Sequence, residues 1–287
     1  MRFTIQSRKN IIRRSLTKAF LLALALLFLF PVLSIVINSF MSPAEVMSVY
    51  GAEDAAGFRL FPSHFSLMSY YQVFLATPQY LIKFWKSLGI VFLILAGQMV
   101  TSCLGAAAFS HYKFKGSGFW FGLLVFFTFL PVQATLVPDY WLLSQVHLAD
   151  SYWALILPNL FTPLGTVLIT MVYSNVPRDL LEAASLDGAD AKRILISVLV
   201  PCGKPGIASF FVISFADCWN MVEQPMVFLS DPRDFPLSVF LAVMNKENLS
   251  LQFACAILCL LPITLLFLFF HEELSEGITS AVTKERS

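Results

Sequence analysis

Six long, mostly apolar runs, five of them without a charged residue, constrain what this 287-residue chain can fold into. A helix that crosses a bilayer needs roughly 20 such residues, and each run has about that length. None of the runs alternates apolar and polar residues, so helices are favoured over barrel strands. Charged residues make up only 13% of the chain, whereas a soluble domain has about a quarter. We therefore predict an all-α, polytopic membrane protein, with spans near 19–37, 88–109, 118–137, 152–173, 207–229 and 253–270.

Proline residues interrupt the third, fourth and fifth predicted spans. Such breaks are tolerated where neighbouring helices or a water-filled path satisfy the freed backbone groups. The residues concerned are Pro131, Pro158, Pro163 and Pro225. We expect the whole chain, 1–287, to form a single transmembrane domain.

The distribution of Lys and Arg predicts the orientation in the membrane. Fourteen of the 19 basic residues fall on one side of the six-span arrangement, and basic residues concentrate on the cytoplasmic side. Both termini and the polar segment 176–206 are therefore predicted to be cytoplasmic. The basic N-terminus resembles a signal peptide, but no small-residue cleavage site follows Pro31, so we predict an uncleaved first span.

The polar segment 176–206 has the pattern of a helix–turn–helix. Pro177 suits the first turn of a helix, and the neighbouring Ala183 and Ala184 would let another protein surface approach closely. Gly188 can adopt a positive φ and end the helix. A second helix would follow, which Pro201 and Pro205 would break before the fifth span. From the pattern alone, an ordinary hairpin lying on the membrane surface remains an alternative to a docking element.

The string EAASLDGADAKRILISVLVPCGKPG, residues 182–206, resembles the EAA loop of ATP-binding-cassette (ABC) importer permeases, the inner-membrane components of binding-protein-dependent transport. Four further strings resemble the carbohydrate-uptake branch, the MalG-like permeases: 152–165, 84–88, 219–220 and 276–279. The sequence departs from the family pattern at three places. Val200 precedes Pro201 where the family has Leu, Lys86 replaces an Asn, and Glu223 stands later than the usual Trp-Asn-Glu glutamate.

The resemblance implies a type I ABC importer permease that moves a sugar or oligosaccharide across the bacterial inner membrane. It implies a heterodimer with a second permease, two ATPase subunits that bind ATP and magnesium, and an extracytoplasmic solute-binding protein. No cofactor is expected in this chain itself. The residues expected to couple it to the ATPases are Glu182, Ala183, Ala184, Asp187 and Gly188.

Polar residues inside or near the fifth span suggest a substrate path. A charge at bilayer depth is costly and should face a cavity or a partner. Hydroxyl groups of a sugar can take hydrogen bonds while its C–H faces stack on an aromatic ring. The candidates are Trp219, Asn220, Glu223, Asp217 and, in the fourth span, Asn159. Contacts between helices or with a second permease are the alternative role for these side chains.

Several other classes of function find no support in the sequence. There is no G-x-x-x-x-G-K-[ST] loop to cradle phosphate, so ATP hydrolysis is expected on a separate chain. The five Cys and four His are scattered and predict no metal site, no catalytic grouping can be argued, and a net charge of +1 does not indicate nucleic-acid binding. An ABC permease for another class of solute remains open. An ion-coupled secondary transporter that uses Asp217 and Glu223 is the alternative from a different class, although no paired inverted repeat is visible.

Overall fold

The structure is a computed structural model that describes the backbone of residues 2–51, 59, 61–76, 79–112, 114–243 and 249–284, and the side chains of those between 14 and 274. Within these ranges every regular element is helical, which confirms the all-α prediction. The helices are α1 Arg2–Ser39, α2 Pro43–Val46, α3 Met68–Tyr71, α4 Gln79–His111, α5 Ser117–Thr128, α6 Val132–Gln145, α7 Tyr152–Asn159, α8 Pro163–Tyr173, α9 Arg178–Leu186, α10 Ala191–Ile194, α11 Val200–Cys202, α12 Lys204–Trp219, α13 Glu223–Phe228, α14 Leu237–Ala242 and α15 Leu249–Lys284. Wide π turns extend α2, α3 and α10, and a 3-10 turn covers Pro232–Asp234.

Among the described residues, four helical segments are long and apolar enough to cross a membrane: Arg14–Ser39, Gln79–His111, Tyr152–Tyr173 and Leu249–Leu274. Two bent pairs raise the number to six if each pair is one span. The pair α5 and α6 bends by 100°, and the segment Ala191–Cys202 bends by 80° against α12. The predicted third span, 118–137, is therefore divided between two helices.

Proline explains two of the breaks but not the third. Pro131 directly precedes α6, and Pro163 begins α8 after the break at 160–162. Pro225 was expected to interrupt the fifth span, yet it lies inside the first turn of α13. A proline is tolerated there because that N–H has no partner within the helix. The interruption instead falls at 220–222, so the predicted span 207–229 is not one continuous helix.

The break between α7 and α8 is repaired by side chains of α4. The carbonyl of Asn159 would normally accept from the N–H four residues on, but that residue is Pro163, which has none. The Gln98 side chain donates to this carbonyl at 2.9 Å, and Thr101 donates to the next one, Leu160, at 3.0 Å. A broken helix inside the membrane is tolerated when neighbours satisfy the freed groups in this way.

The chain divides into two compact units, residues 1–80 with 244–258 and residues 81–243 with 259–287. In the first unit, Ser39 pairs with Tyr70 at 2.8 Å and the rings of Phe40 and Phe65 stack at 4.8 Å. The carboxylate of Glu45 accepts from the Ser63 amide at 2.6 Å. This bond lowers the pKa of Glu45, because it stabilises the ionised form. The prediction of one permease domain across the chain stays a prediction.

The second unit is assembled around α8. Its core cluster joins α4, α8, α12 and the π turn after α10, and it consists of Ala106, Ala107, Ile169, Tyr173, Val176, Leu199 and Phe210. A side chain at Gly165 would clash with Ser102 and Phe210, and one at Gly206 would clash with Val172. The glycines at these two positions leave room for side chains of the neighbouring helices, and small residues at helix contacts are common in membrane bundles.

Candidate functional site

The predicted helix–turn–helix at 176–206 is present, and we call it the α9–α10 hairpin. Gly188 follows α9 with φ of 82°, as the sequence predicted. Its N–H bonds the carbonyl of Ser185 and the N–H of Ala189 bonds that of Ala184, both at 3.0 Å, which is the Schellman pattern. Asp190 then caps α10 by accepting from the Arg193 amide at 2.9 Å. The four residues 187–190, which include both caps, thus form a fixed turn between the two helices.

One face of the hairpin is anchored and the other is bare. Leu181 and Leu195 pack on the core cluster, and Leu199 belongs to it. In contrast, Leu186 at the tip is 88% exposed, and α9 has no buried residue. Of the five predicted coupling residues, Glu182, Ala183, Asp187 and Gly188 are exposed and Ala184 is half-buried. The arrangement presents an apolar tip whose base is fixed to the helices of the second unit.

A cavity of about 770 Å³ forms where two helix breaks meet. The bend before α6 brings Val132 and Gln133 to its wall, and the break after α12 brings residues 220–224. Its polar lining consists of Gln133, Asn159, Asp217, Asn220, Glu223 and Gln224. Discontinuous membrane helices commonly form substrate sites in this way. Four of the five residues predicted for a substrate path therefore share one cavity, and their role there stays a prediction.

Amide side chains organise this cavity. The Gln133 amide donates to both carboxylate oxygens of Glu223, at 2.9 and 2.8 Å. The Asn159 amide donates to Gln224 at 2.7 Å. Behind them, Gln98 accepts from Ser214 and donates to the Asn159 backbone, which extends the network into the bundle. The sequence pattern had not singled out Gln98.

Trp219, the fifth residue predicted for the path, does not line the cavity. Its side chain is 3% exposed, and its ring nitrogen donates to the Cys259 carbonyl at 3.0 Å. The ring stacks on Phe215 and meets Phe84 edge-on, both at 5.6 Å between centroids. Successive helix positions point about 100° apart. Because Asn220 faces the cavity, its neighbour Trp219 faces the core and offers no stacking surface to a solute.

The segment 230–238, which we call the 230–238 loop, is held firmly by the beginning of α4. The Lys83 ammonium donates to three carbonyls of the loop, those of Pro232 at 3.2 Å, Arg233 at 3.0 Å and Phe235 at 3.1 Å. It also lies 5.2 Å from the centre of the Phe240 ring. Lys83 is only 8% exposed. Its three N–H donors are matched to three acceptors, so the ammonium fixes the shape of the loop.

Three further side chains, those of Tyr152, Lys86 and Ser87, secure the same loop. Tyr152 donates to Asp234 at 2.9 Å, and Lys86 lies 3.1 Å from the Tyr152 hydroxyl. The Leu237 amide donates to Ser87 at 2.8 Å. Sequence reasoning had noted Lys86 only as a departure from the family pattern. Lys83 and Lys86 lie one helical turn apart just before the apolar run of α4. In the sequence, this pair is the feature that indicates polar contacts at this end of the helix.

The comparisons with known proteins agree with this architecture. Residues 13–279 match the family described as binding-protein-dependent transport system inner membrane component. The chain is 25% identical over 259 residues to the arabinooligosaccharides transport system permease protein AraQ of Halalkalibacterium halodurans, covering 89% of this chain and 91% of that protein.

Two solved structures share the fold. One is a bacterial ABC transporter involved in the import of the acidic polysaccharide alginate, with a TM-score of 0.79, 19% identity and coverage of 93% of this chain and 98% of that one. The other is a bacterial alginate ABC transporter in complex with an alginate pentasaccharide-bound periplasmic protein, with a TM-score of 0.62, 17% identity and coverage of 94% and 97%. The family match spans more than nine-tenths of the sequence and confirms the predicted class: the chain belongs to the inner membrane components of binding-protein-dependent transport systems.

Proposed function

We propose that this chain is a permease subunit of an ATP-driven importer that carries a saccharide across the cytoplasmic membrane. The observation that carries the proposal is the α9–α10 hairpin, anchored through Leu181, Leu195 and Leu199 and bare at Leu186. An exposed leucine in water is unfavourable by roughly 2 kcal/mol relative to burial. A partner protein that covers the tip would remove this penalty and could push on the core cluster through the anchored face.

The partners follow from the family and from what this chain lacks. Its sequence has no phosphate-binding loop, so two ATPase subunits would bind ATP and magnesium below the hairpins. A second, similar permease would complete the pathway, and a solute-binding protein would deliver the substrate. The residues that contact the ATPase are Glu182, Ala183, Ala184, Asp187 and Gly188. The saccharide class is supported by the arabinooligosaccharide system to which AraQ belongs.

Co-purification tests the proposal directly. The tagged chain, expressed with the genes of its candidate partners, should retain an ATPase on the affinity column. Reconstituted vesicles should take up labelled arabinotriose only with ATP and solute-binding protein present. Ala184→Arg should insert normally but lose the ATPase, while Arg14→Gln, far along the chain, should keep it. Uptake driven by an ion gradient without any ATPase would favour the secondary transporter that uses Asp217 and Glu223.

Labelling tests the proposed orientation, in which both termini and the hairpin are cytoplasmic. On a Cys-free background, a cysteine at Lys192 should resist a membrane-impermeant thiol reagent in intact cells. A cysteine at Arg233, whose side chain is 90% exposed, should be labelled. Lys246, which the sequence also places outside, is not among the described residues. The reverse pattern of labelling would contradict the six-span orientation.

A further inference from the structure

We propose that the 770 Å³ cavity selects uncharged saccharides and rejects anionic ones through Asp217 and Glu223. This inference rests on the proposed function, since it assigns a class of solute to the cavity of that importer. Among the described residues that line the cavity, two are carboxylates and none is Lys, Arg or His. The wall contributed by this chain is therefore negative.

The carboxyl group of Glu223 is positioned by the side chain of Gln133. Both of its oxygens accept from the same Gln133 amide, at 2.9 and 2.8 Å. Gln133 thus holds Glu223 in place across the cavity, from α6 to α13.

Asp217 supplies the second charge on the same wall. It lies one helical turn before Asn220 on α12, and both side chains are exposed to the cavity. Asn220 turns its amide nitrogen back to the carbonyl of Ala216 at 2.8 Å. Its oxygen therefore remains to face the cavity as a further acceptor. The wall is rich in acceptors, which suits the hydroxyl donors of a sugar.

An anionic solute meets repulsion at this wall. Two like charges about 6 Å apart repel appreciably at the effective dielectric constant of about 20 found near protein surfaces. The carboxylate of a uronate and an ionised phosphate ester have acceptor oxygens only, so these groups cannot donate to Asp217 or Glu223. A neutral sugar can donate to them. The fold neighbour that imports alginate handles an acidic polysaccharide, and we expect this chain to differ from it in solute charge.

Equilibrium binding to the assembled importer tests this selectivity. The complex of both permeases and the ATPases, in lipid nanodiscs and without solute-binding protein, is titrated with labelled arabinotriose and labelled trigalacturonate, two probes of equal length. Wild type should bind arabinotriose at least about tenfold more tightly, a difference of about 1.4 kcal/mol. The double variant Asp217→Asn/Glu223→Gln should lose most of this discrimination by gaining affinity for trigalacturonate. Each single variant should lose part of it.

The matched control is Asp139→Asn, which removes a carboxylate of α6 that does not line the cavity and should leave the discrimination unchanged. Equal binding of both probes by wild type would overturn the inference, as would binding of neither, or a double variant that still discriminates. In these cases ATP-driven uptake and ATPase retention, measured on the same preparations, would show that the proposed function stands. Loss of ATPase retention by wild type would instead count against the proposed function.

Discussion

The 230–238 loop and the α9–α10 hairpin are both polar turns between helices, yet the fold treats them in opposite ways. The loop is tied to α4 and α7 by Lys83, Lys86, Ser87 and Tyr152. The hairpin rests on the core through three leucines and leaves its tip uncovered. The loop is covered by side chains of its own chain, whereas the hairpin leaves Leu186 exposed at its tip.

This difference indicates where a partner can act. A turn that is held by side chains of its own chain gains little from a new contact, and it moves with the helices that hold it. A turn with an exposed leucine gains from being covered. We therefore expect substitutions in the loop to change the stability of this chain, and substitutions at the hairpin tip to change its response to the proposed ATPase.

The largest effect is expected for Lys83→Met. The change removes three hydrogen bonds from a charged donor and leaves three carbonyls to find other partners. Unsatisfied buried groups cost about 1–3 kcal/mol each, partly recovered by water at a loop. We expect unfolding of the purified complex, followed by tryptophan fluorescence, to need about 3 kcal/mol less. The control Lys86→Met, with its side chain 46% exposed, should lose less than about 1 kcal/mol. Equal losses would mean that the loop is not held by Lys83.

A smaller loss is expected for Gly203→Ala, at the bend between α11 and α12. A methyl group there would overlap the Tyr173 ring and lie 3.0 Å from the Leu199 carbonyl. Overpacking of this kind costs about 1–3 kcal/mol. Gly122→Ala in α5 is the matched control, since its methyl group meets nothing within 4 Å and alanine favours a helix. Denaturant midpoints should move in opposite directions, and a shared direction would contradict the tight packing at the bend.

At the hairpin tip, Gly188→Val should reduce ATP-driven uptake without preventing assembly of the complex. A methyl group at Gly188 meets nothing within 4 Å, so the strain comes from the backbone alone, at a φ of 82°. Such strain costs about 1–2 kcal/mol. We expect the complex to assemble, but ATP-driven uptake to fall about tenfold or more, because the turn no longer fits its partner. Gly188→Asn, which tolerates positive φ, should transport normally. Wild-type uptake by Gly188→Val would remove the hairpin from the coupling path.

The smallest effect is expected for Arg233→Gln. The guanidinium lies 2.7 Å from Asp231 and lowers the pKa of that carboxylate below its ordinary value of 3.8. A lowered pKa adds stability above the ordinary value and loses it as the pH falls through the folded one. Both groups are exposed, so thermal midpoints at neutral pH should not change measurably. A clear loss at neutral pH, absent in acid, would show that this exposed pair holds the loop after all.

The sequence predicted the helical class and the hairpin because both depend on local patterns. The long apolar runs predict helices from neighbouring residues alone. Pro177 before α9 and Gly188 after it likewise mark the ends of that helix locally. Pro131 and Pro163 marked real breaks for the same reason. The prediction of a break at Pro225 was wrong because proline is tolerated in the first turn of a helix. No local sequence pattern indicated the break at 220–222.

The candidate site was less predictable because it depends on distant contacts. Lys83 reaches residues about 150 positions away, and Gln98 meets Asn159 across the bundle. The Trp219–Asn220 pair was read as one site, although neighbouring helix positions face different directions. The sequence shows that polar and charged residues lie within the predicted spans. That they line one cavity became clear only from the two helix breaks that bring them together.

The hydrogen-bond network behind the cavity bears on how such a protein could acquire a new substrate. Gln98, Ser214 and Gln224 are buried and bonded to one another or to Asn159, so a change at any one strands its partner. Asp217 and Asn220 have exposed side chains on the cavity wall and can change without that penalty. Evolution toward a different solute should therefore proceed through these exposed residues while the buried network stays fixed. A saturation-mutagenesis library selected for growth on a new saccharide should accumulate changes at 217 and 220 and few at 98 and 224.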